Sequence, residues 1–456
     1  MTRDEQELMT SFLKLVMNYL QHNPLRDDAI VDYQDYATLK RKFDASIGKV
    51  GVAEEELLSS VQSYMDYCVR TNHPQFLGTL RAGYSIPSLI GEILSNITNT
   101  TMATYGASPV ATLIENTLIE KMMDMVGFHG GDGIFLTGGT QANLVAVLSA
   151  RNTIDPDIKT LGLRKEQDLV LFISDQAHYS FVIAANVLGI GVENVVRVKS
   201  DDLGRMDVDA LETAIETAIA EDKVPLFVGA TAGATALGCF DPIEKIAHVA
   251  SKYKLWLHID AAFGGSVLLS SRYRSLLTGS ELADSFSWDA HKMMGVPLPC
   301  STILMRKSGI LYDVCTTCDV TEDSSYVFHD MRGESFDLGV KSLQCTRKVD
   351  ALKLWMAWKY YGDEGYERRI NRVVEIAKYA EKRIGESHLL ELAFPRQFVN
   401  LCFRYKSNKE GIVDQINMLL QRRLIQRGKS YINFTQVKGV KVLMFNVVNP
   451  EVTAED

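Results

Sequence analysis

Short apolar segments alternate with amphipathic helical segments over roughly residues 75–345, and this alternation constrains the fold more than any other feature. Strands that alternate with helices form a mostly parallel sheet with helices on both faces. Asp241 and Pro242 mark a helix start in this region, with the acid as cap and the proline in the first turn. The sequence therefore predicts an α/β fold with strands at 134–136, 168–173, 225–230, 255–259, 285–288 and 301–305.

Helical periodicity precedes and follows the α/β region. Leu8, Phe12 and Leu15 recur at helical spacing near the N-terminus. A chain of 456 residues is long enough for more than one domain. We predict an N-terminal helical segment, a large α/β domain and a small C-terminal α/β domain, at 1–72, 73–346 and 347–456.

The bulk composition excludes several functional classes. The net charge is −9 and no basic stripe is present, so a nucleic-acid partner is not expected. The apolar runs are short, so no membrane span is expected. The acidic N-terminus lacks a signal-peptide pattern, and the seven scattered cysteines suit reduced thiols. We therefore expect a cytoplasmic protein. Cys315 and Cys318 form a CxxC, but no second pair follows at zinc spacing, so no bound metal is expected.

Two polar residues follow predicted strands and together suit one cofactor. Lys292 comes behind His291 after segment 285–288, and Asp260 directly follows segment 255–259. Pyridoxal phosphate needs a lysine for its Schiff base and an acid for its pyridine nitrogen. Either residue alone is more often an ordinary solvated or strand-end charge, so the prediction depends on finding both.

Two further segments complete this pattern. Residues 137–143 (TGGTQAN) lie between a predicted strand and a helix, where backbone N–H groups and the helix dipole suit a phosphate. Such a turn alone is more often an ordinary helix cap. His178 follows strand 168–173, in a position from which it can stack on a cofactor ring. A lone histidine there is more often a satisfied polar group, but four such features in one α/β domain favour a pyridoxal phosphate site.

Several longer segments carry a family resemblance. They are residues 73–76 (HPQF), 107–110 (ASPV), 230–238 (ATAGATALG), 240–243 (FDPI), 255–262 (LWLHIDAA), 291–296 (HKMMGV) and 344–350 (QCTRKVD). With them, the chain resembles the group II pyridoxal-phosphate-dependent amino-acid decarboxylases, most of all the glutamate, cysteine sulfinate and aspartate decarboxylase branch. The resemblance implies a fold-type I architecture like that of aspartate aminotransferase. It also implies a homodimer with active sites near the subunit interface.

The resemblance implies a role for each matching residue. Lys292 is expected to bind the cofactor aldehyde, Asp260 to keep the ring nitrogen protonated, and His178 to stack on the ring. Tyr326 is expected to protonate the substrate carbon after CO2 leaves. Asp289 replaces an asparagine that is frequent in the family, and we assign it no contact because an acid beside a phosphate is unfavourable. The other expected cofactor contacts are Gly139, Thr140, Gln141, Thr231, Ala262 and His291.

The expected substrate contacts also follow from the resemblance. Arg347 matches the arginine that holds the α-carboxylate, and Thr79 and Arg81 lie where the acidic branch binds the substrate side chain. The predicted activity is decarboxylation of glutamate, aspartate or cysteine sulfinate to an amine and CO2. One alternative is an aromatic L-amino-acid decarboxylase, which residues 107–109 favour. Others are an aminotransferase or lyase on the same fold and a catalytically silent scaffold, although the intact lysine, aspartate and histidine argue against silence.

Overall fold

The computed structural model describes residues 1–81, 83–163, 168–316, 336–407 and 410–456. The chain divides into two compact units. A small unit comprises Met1–Gly83, Glu375–Pro395 and Val399–Asp456, and a large unit comprises Tyr84–Val374 and Arg396–Phe398. Compact units need not be independently folding domains, so the domain boundaries given above stay predictions.

A seven-stranded sheet forms the centre of the large unit. Its strands are β1 (Asp132–Leu136), β2 (Leu169–Ser174), β3 (Val195–Val198), β4 (Val224–Thr231), β5 (Trp256–Asp260), β6 (Ser285–Asp289) and β7 (Ser301–Met305). The spatial order is β1-β7-β6-β5-β4-β2-β3. Strands β2 to β6 pair in parallel, whereas β7 runs antiparallel to β1 and β6. The predicted mostly parallel sheet is confirmed.

Helices flank this sheet and also occupy the N-terminal region. Within the described residues they are α1 (Arg3–His22), α2 (Tyr36–Lys42), α3 (Glu54–Tyr67), α4 (Ile86–Thr98), α5 (Pro109–Val126), α6 (Gly139–Ile154), α7 (Ile158–Leu161), α8 (Ser180–Val187), α9 (Val208–Ala220), α10 (Ile243–Lys252), α11 (Ile310–Cys315), α12 (Ala351–Gly385) and α13 (Glu410–Gln426). Gly362 has a φ of 62° and interrupts α12. No helix in the described ranges has both the length and the apolar character of a membrane span.

The small unit contains an antiparallel sheet. Its strands are β8 (Leu390–Leu392), β9 (Asn400–Tyr405), β10 (Asn433–Val437) and β11 (Val440–Asn446), in the spatial order β10-β11-β9-β8. Helix α13 packs on this sheet, so the C-terminal part of the chain has the predicted mixed α/β character.

The structure corrects the expected role of Asp241. The residue does not cap α10, which begins at Ile243 after Pro242 and has no side-chain cap. Its buried carboxylate instead accepts hydrogen bonds from the backbone N–H groups of Met206, at 2.6 Å, and Thr231, at 2.7 Å. Asp241 therefore fixes the end of β4 rather than the start of the helix.

Candidate active site

The C-terminal ends of β4, β5 and β6 bring several predicted site residues to one edge of the sheet. Thr231 ends β4 and lies beside Asp260, which ends β5, and Asp260 lies beside Ser287 of β6. Lys292 follows the end of β6 by three residues. Ligand groups in parallel sheets collect at this edge, because the strands end there together.

Asp260 is buried and held by three donors. The side-chain amide of Asn143 donates to Oδ2 at 2.8 Å. The backbone N–H of Ala262, at 3.2 Å, and the hydroxyl of Ser287, at 3.3 Å, donate to Oδ1. An ionised carboxylate offers about four acceptor positions, so one position on Oδ2 is left for a further donor.

Lys292 forms an ion pair with Asp289. Its Nζ lies 3.2 Å from Oδ2 of Asp289, and the Asp289 side chain is only 2% exposed. The same oxygen lies 3.5 Å from Nε2 of His291, whose pKa burial lowers from its usual value. His291 Nδ1 is close to the backbone of Cys300, which fixes the ring. A lysine amine, a carboxylate and a largely neutral imidazole therefore share this corner of the site.

His178 lies in the same electrostatic environment. The residue is half-buried, and its Nδ1 accepts the backbone N–H of Ser180 at 3.3 Å. Burial lowers the pKa of His178, with an opposing contribution from Asp260 and a further lowering by Lys292. The structure thus brings His178, Asp260 and Lys292 close enough for their charges to interact, and it keeps the imidazole largely neutral.

The glycine turn before α6 lies against the same strand ends. A Cβ on Gly139 would lie 3.0 Å from Oδ2 of Asp289 and 3.2 Å from the Cβ of Ala262, so only glycine fits without a shift. Gly139 and Thr140 open α6, where helical N–H groups have no intrahelical acceptor. Gln141 instead turns back, and its Oε1 accepts from the backbone and the hydroxyl of Thr137. Its part in phosphate binding stays a prediction.

Arg347 and Thr231 carry buried polar atoms that no group in the described ranges satisfies. Arg347 Nη1 lies 2.9 Å from the carboxylate of Glu115 and donates to the carbonyl of Phe135 at 3.1 Å. Arg347 Nε and Nη2 and the hydroxyl of Thr231 are buried without a hydrogen-bond partner among the described residues. A buried donor without a partner is costly, so both residues are candidates for ligand contact.

Two predicted residues belong to the small unit, and a third lies outside the described residues. The half-buried Thr79 and the exposed Arg81 belong to the small unit, where the Thr79 hydroxyl donates to the Arg81 carbonyl at 2.7 Å. Tyr326 lies outside the described residues, as does Cys318 of the CxxC. Their roles stay predictions.

Sequence reasoning missed three residues of the site. Asp289 was assigned no contact, although its spacing of three residues from Lys292 is typical of an ion pair in a turn. Asn143 closes the quoted glycine segment, and His258 precedes Asp260 by two residues, which places both on one face of β5. Polar residues at alternate positions of a strand as apolar as β5 could have indicated that His258 shares a hydrogen-bonded face with Asp260.

The residues present fit pyridoxal phosphate. Asp260 retains an acceptor position for a pyridinium N–H, and Lys292 supplies an amine. Gly139 and Ala262 leave close-approach space beside Asp289. The first turn of α6 suits a phosphate, and the unsatisfied hydroxyl of Thr231 supplies one further donor.

Comparisons with known proteins identify the family of this chain. The pyridoxal-dependent decarboxylase conserved domain matches residues 37–406. The acidic amino acid decarboxylase GADL1 of Xenopus tropicalis is 35% identical over 466 residues, covering 99% of this chain and 90% of that protein. The cysteine sulfinic acid decarboxylase of Homo sapiens is 36% identical over 466 residues, covering 99% of this chain and 94% of that protein.

A solved structure is similar over the same length. The crystal structure of mouse CSAD matches with a TM-score of 0.93 and 34% identity, covering 99% of this chain and 96% of that chain. These similarities confirm the predicted fold type, the pyridoxal phosphate cofactor and the amino-acid decarboxylase class. The chain belongs to the pyridoxal-dependent decarboxylase family.

Proposed function

We propose that the protein is a carboxy-lyase that converts a small acidic L-amino acid, namely glutamate, aspartate or cysteine sulfinate, into its amine and CO2. The observation that carries the proposal is the meeting of Lys292 and Asp260 at one sheet edge, with one acceptor position of Asp260 left for a donor. When bound, pyridoxal phosphate withdraws electrons from the substrate α-carbon, so that the bond to the carboxylate can break.

Arg347 is proposed to orient the carboxylate that leaves. Its Nη1 is held by Glu115 and by the carbonyl of Phe135, which fixes the plane of the guanidinium. Its Nε and Nη2 atoms form one edge of that plane, and a carboxylate binds such an edge in a bidentate manner. A carboxylate bound at this edge would be held in one orientation while its bond to the α-carbon breaks.

Lys292, His178 and Tyr326 are proposed to complete the reaction. Lys292 supplies the amine that attaches the cofactor, and Asp289 holds that amine in place. His178 packs on the cofactor ring in its neutral form, because its burial disfavours the charge. Tyr326 delivers a proton to the substrate α-carbon. Tyr326→Phe should then divert part of the turnovers to an aldehyde, released with an equal amount of pyridoxamine phosphate that retains the substrate nitrogen. Unchanged product ratios would leave the tyrosine as a packing residue.

Reductive labelling tests the attachment site. Borohydride reduction of the holoenzyme and peptide mapping should label the peptide that contains Lys292, and Lys292→Ala should lose both the label and nearly all turnover. A label on Lys252 or Lys254 would overturn the assignment. CO2 release should then be measured with the twenty common amino acids, cysteine sulfinate and cysteate, and preferred release from an aromatic amino acid would contradict the acidic substrate.

Thr79 and Arg81 are proposed to contact the distal acid group of the substrate. The proposal is supported by the names of the relatives reported above and by the exposed guanidinium of Arg81. Loss of one partner of a desolvated ion pair costs roughly 3–5 kcal/mol, against about 0–1 kcal/mol for an exposed pair. Arg81→Ala should therefore raise KM for the acidic substrate at least about a hundredfold, far more than it changes reactions of neutral amino acids. A rise below about fivefold would contradict the contact.

A homodimer is supported by a helix of the large unit that buries its small residues and exposes its large aliphatic ones. Helix α4 buries Ser88, Gly91 and Ser95 and exposes Ile86, Ile90, Ile93, Leu94 and Ile97. A contiguous aliphatic face of this kind is typical of a protein interface.

Sedimentation tests the dimer. The double variant Ile90→Glu with Ile97→Glu should convert the dimer to a monomer. Leu161→Glu changes an exposed leucine on α7 and should keep the dimer. A wild-type monomer would overturn the proposal. The cytoplasmic location stays a prediction.

A further inference from the structure

Polar side chains form a column on one face of two neighbouring buried strands. Trp256, His258 and Asp260 share a face of β5, because alternate residues of a strand point the same way. On β6, Ser285 pairs in register with His258, and Ser287 pairs with Asp260. Strands buried on both faces of a parallel sheet are normally apolar, so this column needs a complete set of hydrogen bonds to be tolerated.

The column forms a continuous chain of hydrogen bonds that ends at Asp260. Trp256 Nε1 donates to Ser285 Oγ at 2.8 Å, and that oxygen lies 2.9 Å from His258 Nδ1. His258 Nε2 lies 2.9 Å from Asn143 Oδ1. Asn143 Nδ2 then donates to Asp260 Oδ2 at 2.8 Å. Each of these five side chains is buried.

The acceptors around Asn143 fix the direction of its hydrogen bonds. The amide nitrogen of Asn143 faces two acceptors, the carboxylate of Asp260 and the hydroxyl oxygen of Ser180. The amide oxygen therefore faces His258, which must donate from Nε2. In a neutral ring with Nε2 as the donor, Nδ1 is an acceptor, and the Ser285 hydroxyl donates to it. Burial supports this state, since it lowers the pKa of His258 to about 4.

We propose that His258 and Asn143 are positioning residues for Asp260. The donor on His258 Nε2 locks the Asn143 amide, so that its nitrogen always faces the carboxylate. Without that donor the amide can rotate and present its oxygen to Asp260, which repels the carboxylate and moves its remaining acceptor position. The proposal rests on the proposed function, in which that position receives the ring N–H of the cofactor.

Two variants that each remove one hydrogen bond of Asn143 provide the test. His258→Leu removes the bond to the amide oxygen, whereas Ser180→Ala removes a bond from the amide nitrogen and leaves the chain to Asp260 intact. A purely structural role predicts that each variant lowers stability but that the folded variants do not differ in cofactor affinity or kcat. A positioning role predicts that His258→Leu raises the Kd for pyridoxal phosphate at least about tenfold and lowers kcat with little change in KM. Ser180→Ala should stay within about twofold of wild type.

Rescue and spectroscopy complete the experiment. His258→Gln restores an N–H donor near the Nε2 position and should recover most of the cofactor affinity. Independently, nitrogen-15 NMR of the wild-type protein should show His258 as the neutral Nε2–H tautomer at neutral pH, a result that needs no variant to fold. The positioning role alone would be overturned by equal changes in Kd and kcat for His258→Leu and Ser180→Ala, or by no recovery of cofactor affinity in His258→Gln. A charged or Nδ1–H ring in the NMR spectrum would overturn it as well. Wild-type protein that binds no pyridoxal phosphate through Lys292 would overturn the proposed function as well.

Discussion

Asp260 and Arg347 are both buried charged residues of the large unit, but their surroundings differ in one respect. Asp260 accepts hydrogen bonds from Asn143, Ala262 and Ser287 and belongs to a chain of side chains that continues to Trp256. Arg347 has one satisfied nitrogen and two buried nitrogens without a partner in the described part of the protein. Both oxygens of the Asp260 carboxylate accept hydrogen bonds from the protein. Of the Arg347 guanidinium, the described residues contact Nη1 and leave the edge formed by Nε and Nη2 without a partner.

This difference separates positioned groups from groups that await a ligand. Leaving a buried donor unpaired costs about 1–3 kcal/mol, and a ligand that supplies the acceptor removes that cost. We therefore propose that the protein fixes Asp260 before the cofactor binds, and that bound molecules supply the partners of the free edge of Arg347 and of the hydroxyl of Thr231. Substitutions at these positions should therefore have different consequences for stability and for activity.

The largest effect is expected from Arg347→Met. This change leaves the carboxylate of Glu115 buried without its cation, which should lower the free energy of unfolding by about 3–5 kcal/mol. Activity should also be lost, because the substrate carboxylate loses its proposed partner. The double variant Arg347→Met with Glu115→Gln should regain much of the stability, measured by denaturant unfolding, but none of the activity.

Lys353→Met serves as the matched control. Lys353 is fully buried like Arg347, but its amine is satisfied by Asp350 at 2.7 Å and by the carbonyl of Pro299 at 2.6 Å. Its loss should lower the free energy of unfolding in a similar range without a comparable loss of activity. If the double variant regained decarboxylation along with stability, the arginine would be a structural ion pair and the comparison with Asp260 would fail.

Asp260→Ala should lower kcat by about a hundredfold to a thousandfold, because it removes an electrostatic group from the reacting centre. Cofactor affinity should fall in parallel, and Asp260→Glu should retain part of both. Steady-state kinetics at saturating pyridoxal phosphate separates the two effects. Similar rates in Asp260→Ala and wild type would remove Asp260 from the mechanism.

The sequence allowed most of the sheet and part of the site to be predicted. Six strands of the large unit were predicted within about two residues of their bounds, since apolar runs are clear in the middle of a sheet. Strand β3 was missed because it is a short edge strand with an exposed Arg197. Asp241 was misplaced because a cap and a buried acceptor look the same in sequence.

The interactions between distant segments were the part that sequence could not supply. Lys292 and Asp260 were found because their chemistry and their strand ends are local features. The pairing of Arg347 with Glu115 joins residues 232 positions apart, and no periodicity encodes it. The contact of Asn143 with Asp260 spans 117 positions. Both depend on which strands and helices become neighbours in the fold.

The pH dependence of stability tests the hydrogen-bond chain that holds Asp260. The pKa of His258 is about 4 in the folded protein and about 6.5 when unfolded, so the unfolded state takes up a proton first as the pH falls. This contribution to stability is complete above pH 6.5 and should be lost progressively toward pH 4, by up to about 3 kcal/mol. The lowered pKa values of His178 and His291 act in the same direction. The difference in free energy of unfolding between wild type and His258→Gln, measured over this pH range, isolates the His258 contribution. A pH-independent difference would contradict a buried neutral ring.

The smallest effect is expected from Thr231→Val. This variant tests most directly whether a buried atom without a hydrogen-bond partner marks a ligand contact. Its buried hydroxyl has no partner among the described residues, so an isosteric methyl should leave the cofactor-free protein as stable as wild type or up to about 1 kcal/mol more stable. Affinity for pyridoxal phosphate should fall about tenfold if the cofactor satisfies the hydroxyl. Thr302→Val is the matched control, because the equally buried hydroxyl of Thr302 donates to the carbonyl of Trp288 at 3.2 Å. That variant should lose about 1 kcal/mol of stability and keep its cofactor affinity. If instead Thr231→Val lost stability and bound the cofactor normally, an unsatisfied buried atom in this protein would not identify a ligand contact, and the same inference for Arg347 would weaken with it.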